Sequence, residues 1–180
     1  MKAIALESDR LRYQPLDTSF TSEQYVSWMN DEEVNRFLES GGDYTIDKLK
    51  DFLASVEQRP MLFWAIVTKD ENKHIGNIKI DPISWRNKTG EYGILLGEKS
   101  EWGKGYAKEA SQRIVDFCFS DAVGLRRVTL GVVEDNIAAL KLYEKLGFQR
   151  EGLMKAHAHH IGKWCNIVRM AIFNPTLKID

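Results

Sequence analysis

Polar and apolar residues alternate over residues 10–16 (RLRYQPL), the two-residue period of a strand half buried on a core, and Pro15 with Asp17 closes the run. From Ser22 the period lengthens. Tyr25, Trp28 and Met29 fall at helical spacing, and after Asn30 and Asp31 so do Val34, Phe37 and Leu38, which predicts two short helices stopped by Gly41 and Gly42. Thr45 reads as the N-cap of a third helix, because Leu49, Phe52, Leu53 and Val56 form one stripe over 48–56 before Pro60. Three runs of strand character follow, at 61–68, 74–81 and 90–97, separated by turn-forming residues at 69–73 and 85–89; they predict an antiparallel meander. Gly103 and Gly105 then lead into a helix over about 106–120, with Ala110, Ile114, Phe117 and Cys118 on its inward stripe. Residues 125–133 read as a strand, 136–146 as a helix capped by Asn136 and ended by Gly147, and 148–157 with 163–173 as a closing strand pair. The order βαααβββαβαββ, without repeat or linker, predicts a mixed α/β sheet in a single domain spanning 1–180.

Composition narrows the class of function. At 180 residues, 43% hydrophobic and 28% charged, the chain reads as a soluble globule that buries roughly 70% of its unfolded surface without covalent staples. Lys and Arg (25) balance Asp and Glu (26), so no domain-wide basic field points to nucleic acid or an anionic membrane. Cys118 and Cys165 lie far apart and form no C-x-x-C pair; reduced, structural thiols are expected, and with no apolar leader before Glu7 a cytoplasmic location. His157, His159 and His160 cluster, with His157 and His159 on one predicted strand face, but no third ligand is marked nearby and no metal is expected.

The glycines at 103 and 105 bear on chemistry because a strand-to-helix junction rich in glycine exposes backbone N–H groups at the positive end of a helix dipole, which suits a phosphate or pyrophosphate. Taken alone, the same residues read first as a tight turn that needs positive φ. Neither the third glycine of a dinucleotide fingerprint nor a nucleoside-triphosphate loop is present. A second element changes the reading: residues 134–148, EDNIAALKLYEKLGF. The two together resemble the GCN5-related N-acetyltransferase (GNAT) superfamily, in which Q/R-x-x-G-x-G/A cradles the pyrophosphate of acetyl-CoA and a later N-x-x-A-x-x-x-Y-x-x-x-G-F helix flanks the pantetheine. Here the first motif reads Ser100-x-x-Gly103-x-Gly105; Ser100 departs from Gln or Arg, which removes one side-chain contact and leaves the backbone cradle. The likeness spans nearly the whole chain, since SDRLRYQPLD, SWMNDEEVNRFLE and GKWCNIVRMAIF look like the RimJ/RimL branch.

The resemblance implies a GNAT-like fold with a mixed, mostly antiparallel sheet, splayed between its fourth (90–97) and fifth (125–133) strands and carrying helices on both faces. It implies acetyl-CoA as co-substrate and direct acetyl transfer to a primary amine. Coenzyme contacts are expected from Leu95 and Leu96 at the splay, from Gly103, Lys104, Gly105, Tyr106 and Ala107 in the loop, and from Asn136, which is also a local N-cap. Tyr143 would protonate the departing thiolate, a phenol near pKa 10 facing a thiol near 8.5, although on periodicity alone it shares a core stripe with Leu140 and Leu146. Glu91 is the candidate base and Glu134 the reserve; the position used by ribosomal-protein members is Gly131, which carries no base. A cationic acceptor would favour Asp31, Glu32 and Glu33, a nucleotide-linked sugar Arg36 and Trp85. The reading leans to a small amine or amino sugar, with a polyamine or a ribosomal-protein N-terminus as alternatives and a non-catalytic acyl-CoA sensor as the reading from another class. Families of this kind are commonly homodimeric, although nothing in the sequence encodes an interface visibly.

Overall fold

A computed structural model describes residues 1–38, 41–160 and 162–176. Eight strands form one open sheet in the order β1-β2-β3-β4-β5-β6-β8-β7. They are β1 (Leu6–Glu7), β2 (Leu11–Pro15), β3 (Leu62–Thr68), β4 (His74–Ser84), β5 (Thr89–Leu96), β6 (Arg127–Val133), β7 (Gln149–His160) and β8 (Lys163–Phe173). The α-helices among the described residues are α1 (Glu23–Asn30), α2 (Glu32–Asn35), α3 (Ile46–Gln58), α4 (Tyr106–Phe119) and α5 (Ile137–Lys145). Every strand pair is antiparallel except β5 with β6, so this mixed, mostly antiparallel α/β sheet matches the expected class.

Alternation along β3 shows why the sheet is covered on both sides. Leu62, Trp64 and Ile66 enter a core shared with α4 and α5, whereas Ala65 and Val67 enter a second core under α1 and α3. Trp64 is fully buried, and its indole N–H donates to the Ile4 carbonyl (2.8 Å), which satisfies the one polar atom such burial would orphan. Coverage is unequal. The core under α1 and α3 reaches Leu95 of β5 and includes no residue of β6, β7 or β8.

The expected caps hold the helix ends: Thr45 Oγ1 accepts from the Lys48 N–H (3.2 Å), and Asn136 Oδ1 accepts from the Ala139 N–H (3.1 Å). Two differences from the sequence reading have plain causes. Strand β1, with two residues, is too short to show a period; it exists because Leu6 and Glu7 pair with Tyr13 and Arg12. Strand β4 runs on to Ser84 past Pro82, where the ladder shifts register between Ile80 and Ile83, since proline has no N–H to give.

Candidate active site

The parallel ladder joins Thr89 to Arg127, Gly90 to Val128 and Glu91 to Thr129, and then ends, although both strands continue to Leu96 and Val133. Beyond Glu91 and Thr129 the strands therefore diverge, and their inner edges face a gap. Which residues face it follows from register. The Gly97 N–H donates to Ile75 O (3.0 Å), so antiparallel alternation turns the main chain of Leu95 towards Asn77 of β4 and that of Ile94 and Leu96 towards the gap. Of the expected pair, Leu96 faces the gap together with Ile94, while Leu95 packs its side chain with α1 and α3. The indole N–H of Trp102 donates to Leu96 O (2.8 Å), closing the outer end of that edge.

At this outer end, Gly103 and Gly105 adopt φ of +77° and +85°, the left-handed region that glycine enters without strain. Gly105 is the N-cap of α4 and supplies no side-chain cap, so among the described residues the N–H groups of Tyr106, Ala107 and Lys108 have no acceptor. An uncapped helix of 14 residues presents donors and a positive dipole end together, which fits an anionic phosphate. Lys104 reaches Glu101 (2.8 Å), a carboxylate only 6% exposed, and holds it below its ordinary range. Ser100, the departure from the motif, donates to Glu98 (2.6 Å) and accepts from Lys73 (3.1 Å), so a cation from the β3–β4 turn stands where the usual Gln or Arg is missing. Arg10 pins the loop from the other side, with Nε on Glu109 (2.8 Å), Nη1 on Lys104 O (3.0 Å) and its guanidinium over the Tyr106 ring (4.5 Å). Sequence reasoning missed Lys73 and Arg10, because contacts between distant elements leave no local signal.

Helix α5 turns Tyr143 into the core edge-on to Tyr92 and tilted on Phe148, each with ring centroids 5.7 Å away. Burial pushes its phenol up to about 12; no side-chain hydrogen bond among the described residues involves its hydroxyl, which keeps contact with solvent and is not one of the buried polar atoms left without a partner. Tyr92, by contrast, is satisfied: its hydroxyl and Ser111 Oγ lie 2.6 Å apart. Tyr143 therefore holds an unspent donor beside the point where the strands part, and Asn136 spends its Oδ1 on capping α5.

Glu91 lies on the opposite, uncovered side of the sheet. Arg169 of β8 binds it with Nη1 and Nη2 (both 2.7 Å), and Thr129 Oγ1 donates to it (2.5 Å). Burial pushes the carboxyl up, but these bonds and the nearby Lys79 outweigh it, and the net shift is downward. The reserve carboxylate, Glu134, accepts from Asn166 (2.8 Å) beside a cavity of about 130 Å³ lined also by Lys163 and Trp164. Asp31 and Glu33 both pair with Lys99, at 2.6 and 3.3 Å. His159 packs on Trp164 at 5.2 Å, and among the described residues no three His, Cys, Asp or Glu side chains group as for a metal. Cys118 and Cys165 are free and buried, and burial raises the Cys118 thiol to about 12. No described helix is long and apolar enough to cross a membrane.

The depressed Glu91 carboxyl carries a pH signature. Its folded value lies below the ordinary 4.5, so its contribution to stability is present above that value and is lost as pH falls through the folded one. Denaturant unfolding below pH 5 should show a shallower acid loss in Glu91→Gln than in the parent; identical slopes would mean the ion pair contributes nothing.

A family model described as an acetyltransferase (GNAT) domain matches residues 10–149. An uncharacterized N-acetyltransferase, YoaA of Bacillus subtilis (strain 168), is 29% identical over 161 residues, 87% of this chain and 89% of the relative. Among solved structures, a ribosomal-protein-S5-alanine acetyltransferase from Vibrio fischeri superposes with a TM-score of 0.84 at 20% identity, covering 98% of this chain and 100% of the other. Spermidine N-acetyltransferase from Vibrio cholerae, solved with CoA and spermine, superposes with a TM-score of 0.83 at 20% identity, covering 93% and 97%. At these identities the superpositions show a shared fold.

Proposed function

Because the chain belongs to the GNAT acetyltransferase family and is an N-acetyltransferase, we propose that it moves an acetyl group directly from acetyl-CoA to a primary amine of a small molecule or amino sugar. The observation that carries this is the convergence on one gap: strands that stop pairing after Glu91 and Thr129, an uncapped helix end at its mouth, and an unpartnered phenol at its apex. The loop from Gly103 to Ala107, with Lys104 and Tyr106, receives the pyrophosphate; Ile94 and Leu96 offer main-chain groups to the pantetheine. The amine nitrogen forms a bond to the thioester carbon, the C–S bond breaks, and Tyr143 supports the charge that develops on sulfur. Glu91, directly or through water, receives the proton that the nitrogen gives up. Its engagement by Arg169 and Thr129 makes it a weak base, so the acceptor amine has to approach close to its neutral form. A place in the RimJ/RimL-like branch, a single domain, the cytoplasm and a metal-free reaction complete the proposal. Polyamine and ribosomal-protein acceptors are suggested by the solved relatives, and the presence of Tyr143 beside the diverging strands weighs against the non-catalytic sensor.

The test is free-thiol release from acetyl-CoA in the presence of small amines, amino sugars, polyamines and N-terminal peptides, against controls without acceptor. Acceptor-dependent release supports the transferase reading. Coenzyme binding without turnover on any amine would transfer the weight to the sensor, and failure to bind coenzyme would remove both.

A further inference from the structure

On the uncovered face of the sheet, the residues that follow Glu91 and Thr129 two steps on are Gly93 in β5 and Gly131 in β6. Neither carries a side chain of its own, and neighbouring side chains occupy the space where the gap between the strands begins. A Cβ on Gly93 would stand 3.2 Å from Cε of Lys79; one on Gly131 would stand 2.9 Å from Nη1 of Arg169 and 3.0 Å from Cγ2 of Ile167. Glycine at both positions therefore lets the side chains of Lys79 and Arg169 lie close across the sheet where the gap begins, on the side away from α4 and α5.

The charge of these side chains selects what can approach the start of the gap from this face. Lys79 makes no ion pair among the described residues, and Arg169 is matched by Glu91, so this cluster holds two cations against one carboxylate. The next pair on this face, Arg127 with Glu151, is balanced, and the acidic edge at Asp31 and Glu33 is occupied by Lys99. A polyamine would bring further positive charge to a cluster already positive. An acceptor with an anion beside its amine would instead meet Lys79 and the N–H donors of Arg169 that Glu91 leaves unused, while its amine lies towards Glu91. Resting on the transferase reading above, we infer that the acceptor carries a carboxylate or phosphate next to its amine, and that Arg169 and Lys79 are the residues that recognise it.

Matched acceptors test this with the full chain and saturating acetyl-CoA: an α-amino acid against its amide, O-phosphoethanolamine against ethanolamine, and spermidine alongside. The expected result is a kcat/KM about tenfold or more higher for the anionic member of one pair, the size of one charge-assisted hydrogen bond, and the pair that shows it identifies carboxylate or phosphate as the source. Lys79→Gln should raise KM for the anionic acceptor and leave KM for its neutral partner little changed, so that the ratio falls towards one; Arg169→Gln should lower the same ratio while slowing turnover of both partners, because Arg169 also holds Glu91. Lys79 holds no ion pair, which keeps the test valid if Arg169→Gln perturbs the fold. Fastest turnover with spermidine, or a preference that survives both substitutions, overturns the inference and leaves the transferase reading standing. No turnover with any member of the panel removes both.

Discussion

Replacing Tyr143 by Phe should lower kcat by about 10²- to 10³-fold, the loss typical of one donor removed from a developing anion. The hydroxyl makes no hydrogen bond to another described residue and keeps solvent contact, so its removal should leave the thermal midpoint and the KM for acetyl-CoA close to those of the parent. The ring itself packs against Tyr92 and Phe148, and Phe keeps that packing. Burial alters the expected chemistry in one respect. With the phenol pushed up to about 12, it lies well above a thiol's ordinary 8.5, so complete proton transfer to a free thiolate is uphill and the main contribution is a hydrogen bond to sulfur as the C–S bond breaks. A group raised this far stays protonated throughout ordinary assay pH. The substitution should therefore lower the whole pH–rate profile by a common factor without moving its limbs. Initial rates between pH 6 and 10 with thermal unfolding check both parts. A kcat within twofold of the parent would return Tyr143 to the role of a core aromatic.

What the sequence made legible was local. The strand-to-helix junction at Gly103 and Gly105, the caps at Thr45 and Asn136 and the inward stripe of α4 each depend on residues a few positions apart, and each stands where periodicity put it. Non-local pairing was less visible. Leu95 and Leu96 look alike in sequence, and only the register of β5 on β4 separates the main chain that faces the gap from the one that does not. Arg10, Lys73 and Arg169 reach their partners Glu109, Ser100 and Glu91 across the sheet, at separations that no motif encodes. Gly131 was noticed for the base it lacks. Its consequence, a position without a side chain that Arg169 overhangs, depends on the β7–β8 hairpin placing β8, not β7, beside β6.

Gly105→Ala should raise KM for acetyl-CoA about tenfold, and Gly124→Ala separates the cause from simple destabilisation. Both glycines have left-handed φ, +85° and +69°, so an L residue at either is strained by about 1–2 kcal/mol. Space does not distinguish them: a Cβ on Gly124 meets nothing within 4 Å, and one on Gly105 meets only Nη2 of Arg10, at an ordinary 3.6 Å. Similar losses of stability in denaturant are therefore expected. They differ in what the backbone does next. Gly124 lies in the turn beyond the far end of α4, whereas Gly105 aims the first N–H groups of that helix, which have no other acceptor among the described residues. An alanine at 105 relieves its strain by rotating those donors away from the gap mouth, and the loss appears in coenzyme affinity. Titration of acetyl-CoA by calorimetry on parent and both variants decides it. Equal affinity in all three would mean that the loop glycines serve only the turn, and that the pyrophosphate is held by side chains such as Lys73 and Lys104 instead.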